Sequence, residues 1–239
     1  MQLTERRRSL GLAIIAFVLV LLIWQISQLS VVLIPFRYFV TTIHELGHGL
    51  TALISGGQFI KYEVYPSGAG VATTAGGTRW LVTSAGYVFT AFFGAVLLFL
   101  VNRTRYTKAI AMGLGIGFAV VTVIFARNPT ALGAGILTAG GLMLLGWKGP
   151  VWLVTLILNI LAFLTALNAL LDIWGLLNSL NTNVVLRLGN VPNDAYAMAQ
   201  HIPILPAAGW ALLWLLLALG LLGLSVYFTF WRPVRNGEI

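Results

Sequence analysis

Long apolar runs separated by short polar breaks make up most of the chain. Six runs are close to or above the ~20 residues that an α-helix needs to cross a bilayer. They cover residues 10–34, 80–101, 107–126, 130–147, 150–177 and 205–231. A seventh segment, residues 36–54, has a helical pattern but carries more polar side chains. The pattern predicts an all-α polytopic membrane protein with about six to seven transmembrane helices, in a single domain over residues 1–239.

Residues 58–78 differ from everything around them. Short alternating runs lie on either side of Pro66, Ser67 and Gly68, which is typical of two strands joined by a turn. We expect a small β-hairpin-like segment directly after the polar helix, with an ordinary polar loop as the alternative. The edge of such a hairpin could hold an extended peptide by strand addition.

Glycines recur within two of the apolar runs. Gly113 and Gly117 are spaced by four residues, and small residues at this spacing let membrane helices approach closely. We therefore expect this pair to mark a helix–helix contact.

Composition and charge place the protein in the lipid bilayer. Hydrophobic residues make up 59% of the chain and charged residues 8%, whereas a soluble domain has roughly 25% charged residues. The net charge is +8, but the basic residues lie at the ends of apolar runs, where they contact lipid headgroups. Nucleic acid is therefore not an expected partner. The basic residues 6–8 precede an apolar run longer than that of a signal peptide, so we expect a retained anchor with a cytoplasmic N-terminus.

The motif His44-Glu45-Leu46-Gly47-His48 contains two of the three histidines and one of the six acidic residues of the chain. On a helix, His44 and His48 lie on one face, with Glu45 beside them. Two imidazoles can bind a catalytic zinc ion, and the carboxylate can take a proton from the attacking water. The non-catalytic alternatives are a structural hydrogen-bonded cluster and a proton relay in a transporter.

A catalytic zinc ion requires a third protein ligand, and cysteine is absent from the chain. The candidates are Asp172, Asp194, Glu63 and His201. Asp172 is preferred because a carboxylate within an apolar run needs a partner, its insertion costing ~2.5–3.5 kcal/mol at a span centre. Asn168 lies one helical turn earlier and could orient that carboxylate or bind a substrate carbonyl. Asp194, in a polar stretch, is the alternative third ligand.

These residues resemble the site-2 protease family of intramembrane zinc metalloproteases, in particular its small bacterial-type branch without a PDZ domain. The similarity lies in residues 42–53 around the HExxH motif, in Ser-Ala-Gly-Tyr at 84–87, and in Asn-Asp-Ala at 193–195. The family's third ligand is an aspartate in an Asn-x-x-Pro-x-Pro-x-x-Asp-Gly motif. Residues 168–173 retain the asparagine and the aspartate without the prolines or the glycine.

The resemblance implies that His44 and His48 bind Zn²⁺ and that Glu45 is the general base. The expected function is an intramembrane zinc metalloendopeptidase acting on membrane-embedded protein substrates. The alternative is a catalytically inactive membrane chaperone or assembly factor that keeps the protease fold.

Overall fold

The computed structural model describes residues 3–25, 34–168, 170 and 193–232, and it is mostly helical. The helices are α1 (Leu3–Gln25), α2 (Ile34–Ile54), α3 (Arg79–Arg103), α4 (Thr107–Phe125), α5 (Pro129–Lys148), α6 (Val151–Ala166), α7 (Asp194–His201) and α8 (Ala207–Val226). A π-helical turn, Tyr227–Trp231, continues α8. Two strands, β1 (Gln58–Val64) and β2 (Gly70–Ala75), lie between α2 and α3.

Four helices in the described part of the chain are long and apolar enough to cross a membrane. They are α3, α4, α5, and α8 together with its π-helical extension. Helix α6 is apolar but has 16 residues. The predicted runs 10–34 and 150–177 both extend into residues outside the described part. The mostly helical membrane fold is therefore confirmed, whereas the expected six to seven spans stay a prediction.

Helices α4 and α5 approach each other closely at a glycine, but at a different one from those predicted. A Cβ at Gly115 would lie 2.8 Å from the carbonyl oxygen of Ala139 on α5. At Gly113 or Gly117 a Cβ would meet none of the described atoms within 4 Å. Among the described residues the prediction for this pair was wrong, because Gly113 and Gly117 each lie ~200° around the helix from Gly115 and face away from α5.

A buried polar network connects α1, α3 and α6. Ser9 Oγ donates to Asn102 Oδ1 at 2.6 Å, and Asn102 Nδ2 donates to Asn159 Oδ1 at 2.6 Å. Each asparagine also donates to a carbonyl of its own helix, Leu98 or Thr155. These bonds satisfy amide groups that are costly to leave unpaired in an apolar surrounding.

The predicted hairpin is confirmed. Strands β1 and β2 are antiparallel, with Val64 opposite Gly70 and Tyr62 opposite Ala72. The connecting turn has Gly68 at a φ of +88°, a left-handed conformation that glycine adopts at little cost.

The α4–α5 loop covers the outer edge of β1. Asn128 Nδ2 donates to the carbonyl oxygen of Val64 at 2.8 Å, and Asn128 Oδ1 accepts from the Val64 N–H at 3.2 Å. The N–H of Arg127 donates to the carbonyl oxygen of Tyr62. Since Tyr62 and Val64 direct their backbone groups away from β2, the opposite residues Gly70 and Ala72 direct theirs away from β1. The hairpin thus has one covered edge and one edge turned toward α2.

Candidate metal centre

Helix α2 carries the HExxH motif, and its geometry agrees with the sequence prediction. The rings of His44 and His48 have centroids 4.9 Å apart. Glu45 and His48 are buried, and His44 is half-buried. The two imidazoles therefore point into the same region of the protein from successive turns.

Asp194 completes a three-residue cluster with these histidines. Its Oδ2 lies 2.9 Å from His44 Nε2 and 3.3 Å from His48 Nε2. The aspartate is the first residue of α7, and the side chain of Asn193 caps this helix by accepting from the Tyr196 N–H at 2.8 Å. The capped helix start fixes the position from which the carboxylate reaches the two imidazoles.

The other candidates for the third position have different outcomes. Asp172, the preferred one, lies outside the described residues. Glu63 forms an ion pair with Lys61 on β1 at 3.2 Å and is not part of the cluster. His201 ends α7 and lines the surrounding cleft without joining the cluster. Within the described part, Asp194 is thus the carboxylate that meets both histidines.

The donor set and its spacing fit a zinc ion. The three ligand atoms lie within 4.8 Å of one another, and tetrahedral ligands at 2.0–2.2 Å from zinc would be roughly 3.3–3.6 Å apart. Gly86 on α3 leaves the neighbouring space free. A Cβ there would collide with His44 Nε2 and would lie 2.6 Å from His48 Nε2. Two imidazole nitrogens and one carboxylate oxygen form a common ligand set for catalytic zinc.

The hydrogen bond of His48 determines which of its nitrogens is available. Nδ1 lies 2.7 Å from the carbonyl oxygen of Val82. Because a carbonyl only accepts, Nδ1 carries a proton, so Nε2 is the nitrogen left to bind a metal.

The charge state of Asp194 also suits a metal ligand. Burial raises the pKa of its carboxyl group, but the positive charge of a protonated His48 and the hydrogen bonds from His44 and His48 lower this pKa by more. The net pKa lies below the ordinary value for aspartate, so the carboxyl group is ionised, which is the form that binds metals.

Glu45 lies between the histidine cluster and the hairpin. Its carboxylate accepts a hydrogen bond from the backbone N–H of Ala72 on β2. A Cβ at Gly70 would lie 2.5 Å from Glu45 Oε1, so this glycine allows the strand to approach the carboxylate.

These residues line one cleft of about 890 Å³. The open edge of β2, which is the edge not paired with β1, forms part of its wall. Asn168, the predicted substrate-binding residue, lines the cleft as well. The sequence by itself indicated no role for Gly70, Val82 or Gly86. The two glycines contribute by having no Cβ, and Val82 contributes its backbone carbonyl. Residue type alone does not show where such a contribution is needed. The signal for Gly86 was the Ser-Ala-Gly-Tyr segment at 84–87, which carries part of the family resemblance.

Comparison with known proteins gives a family but no individual relative. Neither the search of curated proteins nor that of solved structures returns a match. The family model described as Peptidase M50B-like matches residues 12–225, which include both histidines, Glu45 and Asp194. With its apolar helices, its HExxH helix and this match over most of its length, the chain belongs to the Peptidase M50B-like family, a site-2 protease family.

Proposed function

We propose that the protein is an intramembrane zinc metalloendopeptidase that hydrolyses peptide bonds of membrane-embedded protein substrates. The observation that carries this proposal is the convergence of His44, His48 and Asp194 beside Glu45 in one cleft. The peptidase family and the apolar helices support it.

The metal would be held by Nε2 of His44, Nε2 of His48 and Oδ2 of Asp194. A zinc ion there would supply Lewis-acid polarisation of the scissile carbonyl and would make water at the site more acidic. Val82 supports this arrangement by holding His48 in the required tautomer. Asp172, which the sequence favoured as the third ligand, lies outside the described residues and is the alternative to Asp194 in this proposal.

Glu45 would act as the general base. It would take a proton from the attacking water and then transfer that proton to the leaving amide nitrogen as the C–N bond breaks. Its burial and the hydrogen bond from the Ala72 N–H hold the carboxylate on the side of the cleft that faces the hairpin. The proton acceptor thus lies where a peptide beside β2 would pass.

The substrate would bind as an extended strand along the open edge of β2. Peptide bonds within a membrane helix are shielded by their own hydrogen bonds, so the cleaved segment must unwind first. The outward backbone groups of Gly70 and the carbonyl oxygen of Ala72 would then pair with it, while the Ala72 N–H stays bonded to Glu45. Asn168, on the cleft wall, is the candidate for a hydrogen bond to a substrate carbonyl.

The test uses the variant Glu45→Gln in detergent-purified protein and in liposomes. We expect zinc content to stay at the wild-type level and cleavage of labelled single-span membrane peptides to fall at least ~100-fold, since the proton acceptor is lost. Glu63→Gln is the matched control, because its carboxylate pairs with Lys61 outside the cluster.

Two results would contradict the proposal. Cleavage by Glu45→Gln at the wild-type rate would exclude Glu45 as the base. The non-proteolytic chaperone or assembly factor would be favoured if purified wild-type protein takes up no zinc and Glu45→Gln has no effect on function in cells.

A further inference from the structure

Helix α3 contacts the two histidines of the cluster in different ways. His48 is oriented by its hydrogen bond to the Val82 carbonyl. His44 lacks an equivalent bond, because its Nδ1 is buried without a hydrogen-bond partner in the described part of the chain. A histidine that binds a metal almost always donates its second N–H to an oxygen, and this bond fixes the ring. Within the described part of the chain, a contact of another kind must therefore hold the ring of His44.

An aromatic stack lies against the ring of His44. The Tyr87 ring, on α3, has its centroid 4.8 Å from that of His44, with an angle of 86° between the planes. Behind it, Trp214 of α8 stacks on Tyr87 at 5.2 Å and 21°. Trp214 is only 3% exposed, so the stack cannot move aside without disturbing the packing of α8.

The same stack contacts the helix that carries Asp194. Trp214 belongs to a buried apolar cluster with Ala195 and Met198 of α7, and Tyr87 packs against this cluster. The stack thus touches one ligand directly and reaches the helix of another through apolar packing. Gly86, the neighbour of Tyr87, contributes no side chain that could hold His44.

We infer that the Tyr87–Trp214 stack is the positioning device for His44, and that it sets the direction of His44 Nε2 by ring packing in place of a hydrogen bond. The inference rests on the proposed zinc site. Tyr87 and Trp214 are positioning residues. The aromatic ring at position 87 supports His44, and this support does not depend on which atom the tyrosine hydroxyl contacts. A ring without this support would rotate and carry Nε2 away from the other two ligand atoms.

The experiment measures metal binding and not activity. Wild type, Tyr87→Phe, Tyr87→Leu and Trp214→Leu are purified in detergent, and Zn²⁺ affinity is measured by competition with a chelating indicator. The visible absorption of Co²⁺, bound in place of zinc, reports the ligand geometry. Phe92→Leu is the matched control, since Phe92 lies on the same helix but is 53% exposed on its outer surface.

We expect Tyr87→Phe to bind Zn²⁺ within about twofold of wild type, with an unchanged Co²⁺ spectrum. Tyr87→Leu should bind Zn²⁺ about tenfold more weakly, with an altered Co²⁺ spectrum. Trp214→Leu should change the Zn²⁺ affinity and the Co²⁺ spectrum in the same direction, but by a smaller amount. Phe92→Leu should match wild type. A purely structural role would lower thermal stability and leave the spectrum of the bound metal unchanged.

The results that overturn the inference differ from those that overturn the proposed function. Wild-type affinity and spectrum in Tyr87→Leu would exclude a positioning role. If Tyr87→Phe loses as much Zn²⁺ affinity as Tyr87→Leu, the effect belongs to the hydroxyl group, and the inference of support by ring packing is also overturned. If Tyr87→Leu does not fold, Trp214→Leu decides, since an unchanged spectrum there excludes the stack. Absence of zinc binding by wild type would instead remove the proposed metal site itself.

Discussion

At the residue scale, the candidate metal centre joins side chains that are distant in sequence. His44 and Asp194 are 150 positions apart, yet their side chains lie 2.9 Å from each other. The pairing of His44 with His48 and Glu45 follows from helix geometry, because residues four apart share a face. The sequence therefore predicted this part directly. Asp194 was one of four candidates, since its position depends on how α7 packs against α3.

Replacing Asp194 should remove the metal. We expect wild type to bind about one zinc ion per chain and Asp194→Ala to bind none, because two imidazoles alone leave a catalytic zinc short of a ligand. Metal analysis of detergent-purified protein measures this. Glu63→Ala is the control and should keep its zinc. Loss in Asp172→Ala with retention in Asp194→Ala would assign the third position to Asp172.

A methyl group at position 86 should have a similar effect without changing any ligand. Gly86→Ala places a Cβ against Nε2 of both histidines, so we expect zinc content to fall well below that of wild type while the protein still folds. Gly113→Ala is the matched control, because a Cβ there meets none of the described atoms within 4 Å. Full zinc occupancy in Gly86→Ala would mean that the ligand atoms do not meet at this place.

At the element scale, the hairpin shows what local pattern can and cannot predict. Alternating residues and the Pro-Ser-Gly turn indicated two strands, and both are present. The local sequence did not indicate which edge of the hairpin stays open, because the residue that covers β1 comes from the α4–α5 loop. Asn128 pairs with the backbone of Val64, and its Oδ1 also caps α5 by accepting from the Ala131 N–H. An asparagine before Pro129 indicates only the cap.

Removing the Asn128 side chain should loosen β1. We expect Asn128→Ala to lower the free energy of unfolding by about 1–3 kcal/mol, since the helix cap and both bonds to Val64 are lost. Asn128→Asp keeps the acceptor for Ala131 but cannot donate to the Val64 carbonyl, so its loss should be smaller. Denaturant unfolding in detergent gives the stability, and hydrogen exchange of β1 reports the local effect.

The control for this prediction is Ser67→Ala, in the exposed hairpin turn. Its hydroxyl makes only a long contact of 3.4 Å with the Ala69 N–H, so stability should change little. Unchanged hydrogen exchange of β1 in Asn128→Ala would show that the loop does not hold this edge.

At the scale of the whole molecule, α3 is the element around which the site is assembled. It packs against α2, α6, α7 and α8, and it supplies the Val82 carbonyl, the space at Gly86 and the Tyr87 ring. A metal bound by α2 and α7 would connect helices that otherwise meet through α3. Metal binding should therefore stabilise the entire fold.

Chelation should lower the stability of the wild type. A ligand that binds only the folded state at about 1,000 times its Kd contributes about 4 kcal/mol, so we expect the apparent Tm in detergent to fall by roughly 10 °C. The same treatment should leave Asp194→Ala unchanged, because it has no metal to lose. Equal Tm values for wild type with and without chelator would contradict a metal that joins α2 and α7.

By itself, the sequence determined the features that depend on local order. The apolar runs predicted a helical membrane protein, the alternating segment predicted the hairpin, and the HExxH spacing predicted two imidazoles on one face with a carboxylate beside them. Each of these features follows from the spacing of side chains along a single helix or strand. The tertiary structure decided what depends on contacts between elements: Asp194 beside the histidines, the open edge of β2 along the cleft, and the Tyr87–Trp214 stack against His44. These depend on how separate helices pack, and residue spacing along the chain carries no direct record of that packing.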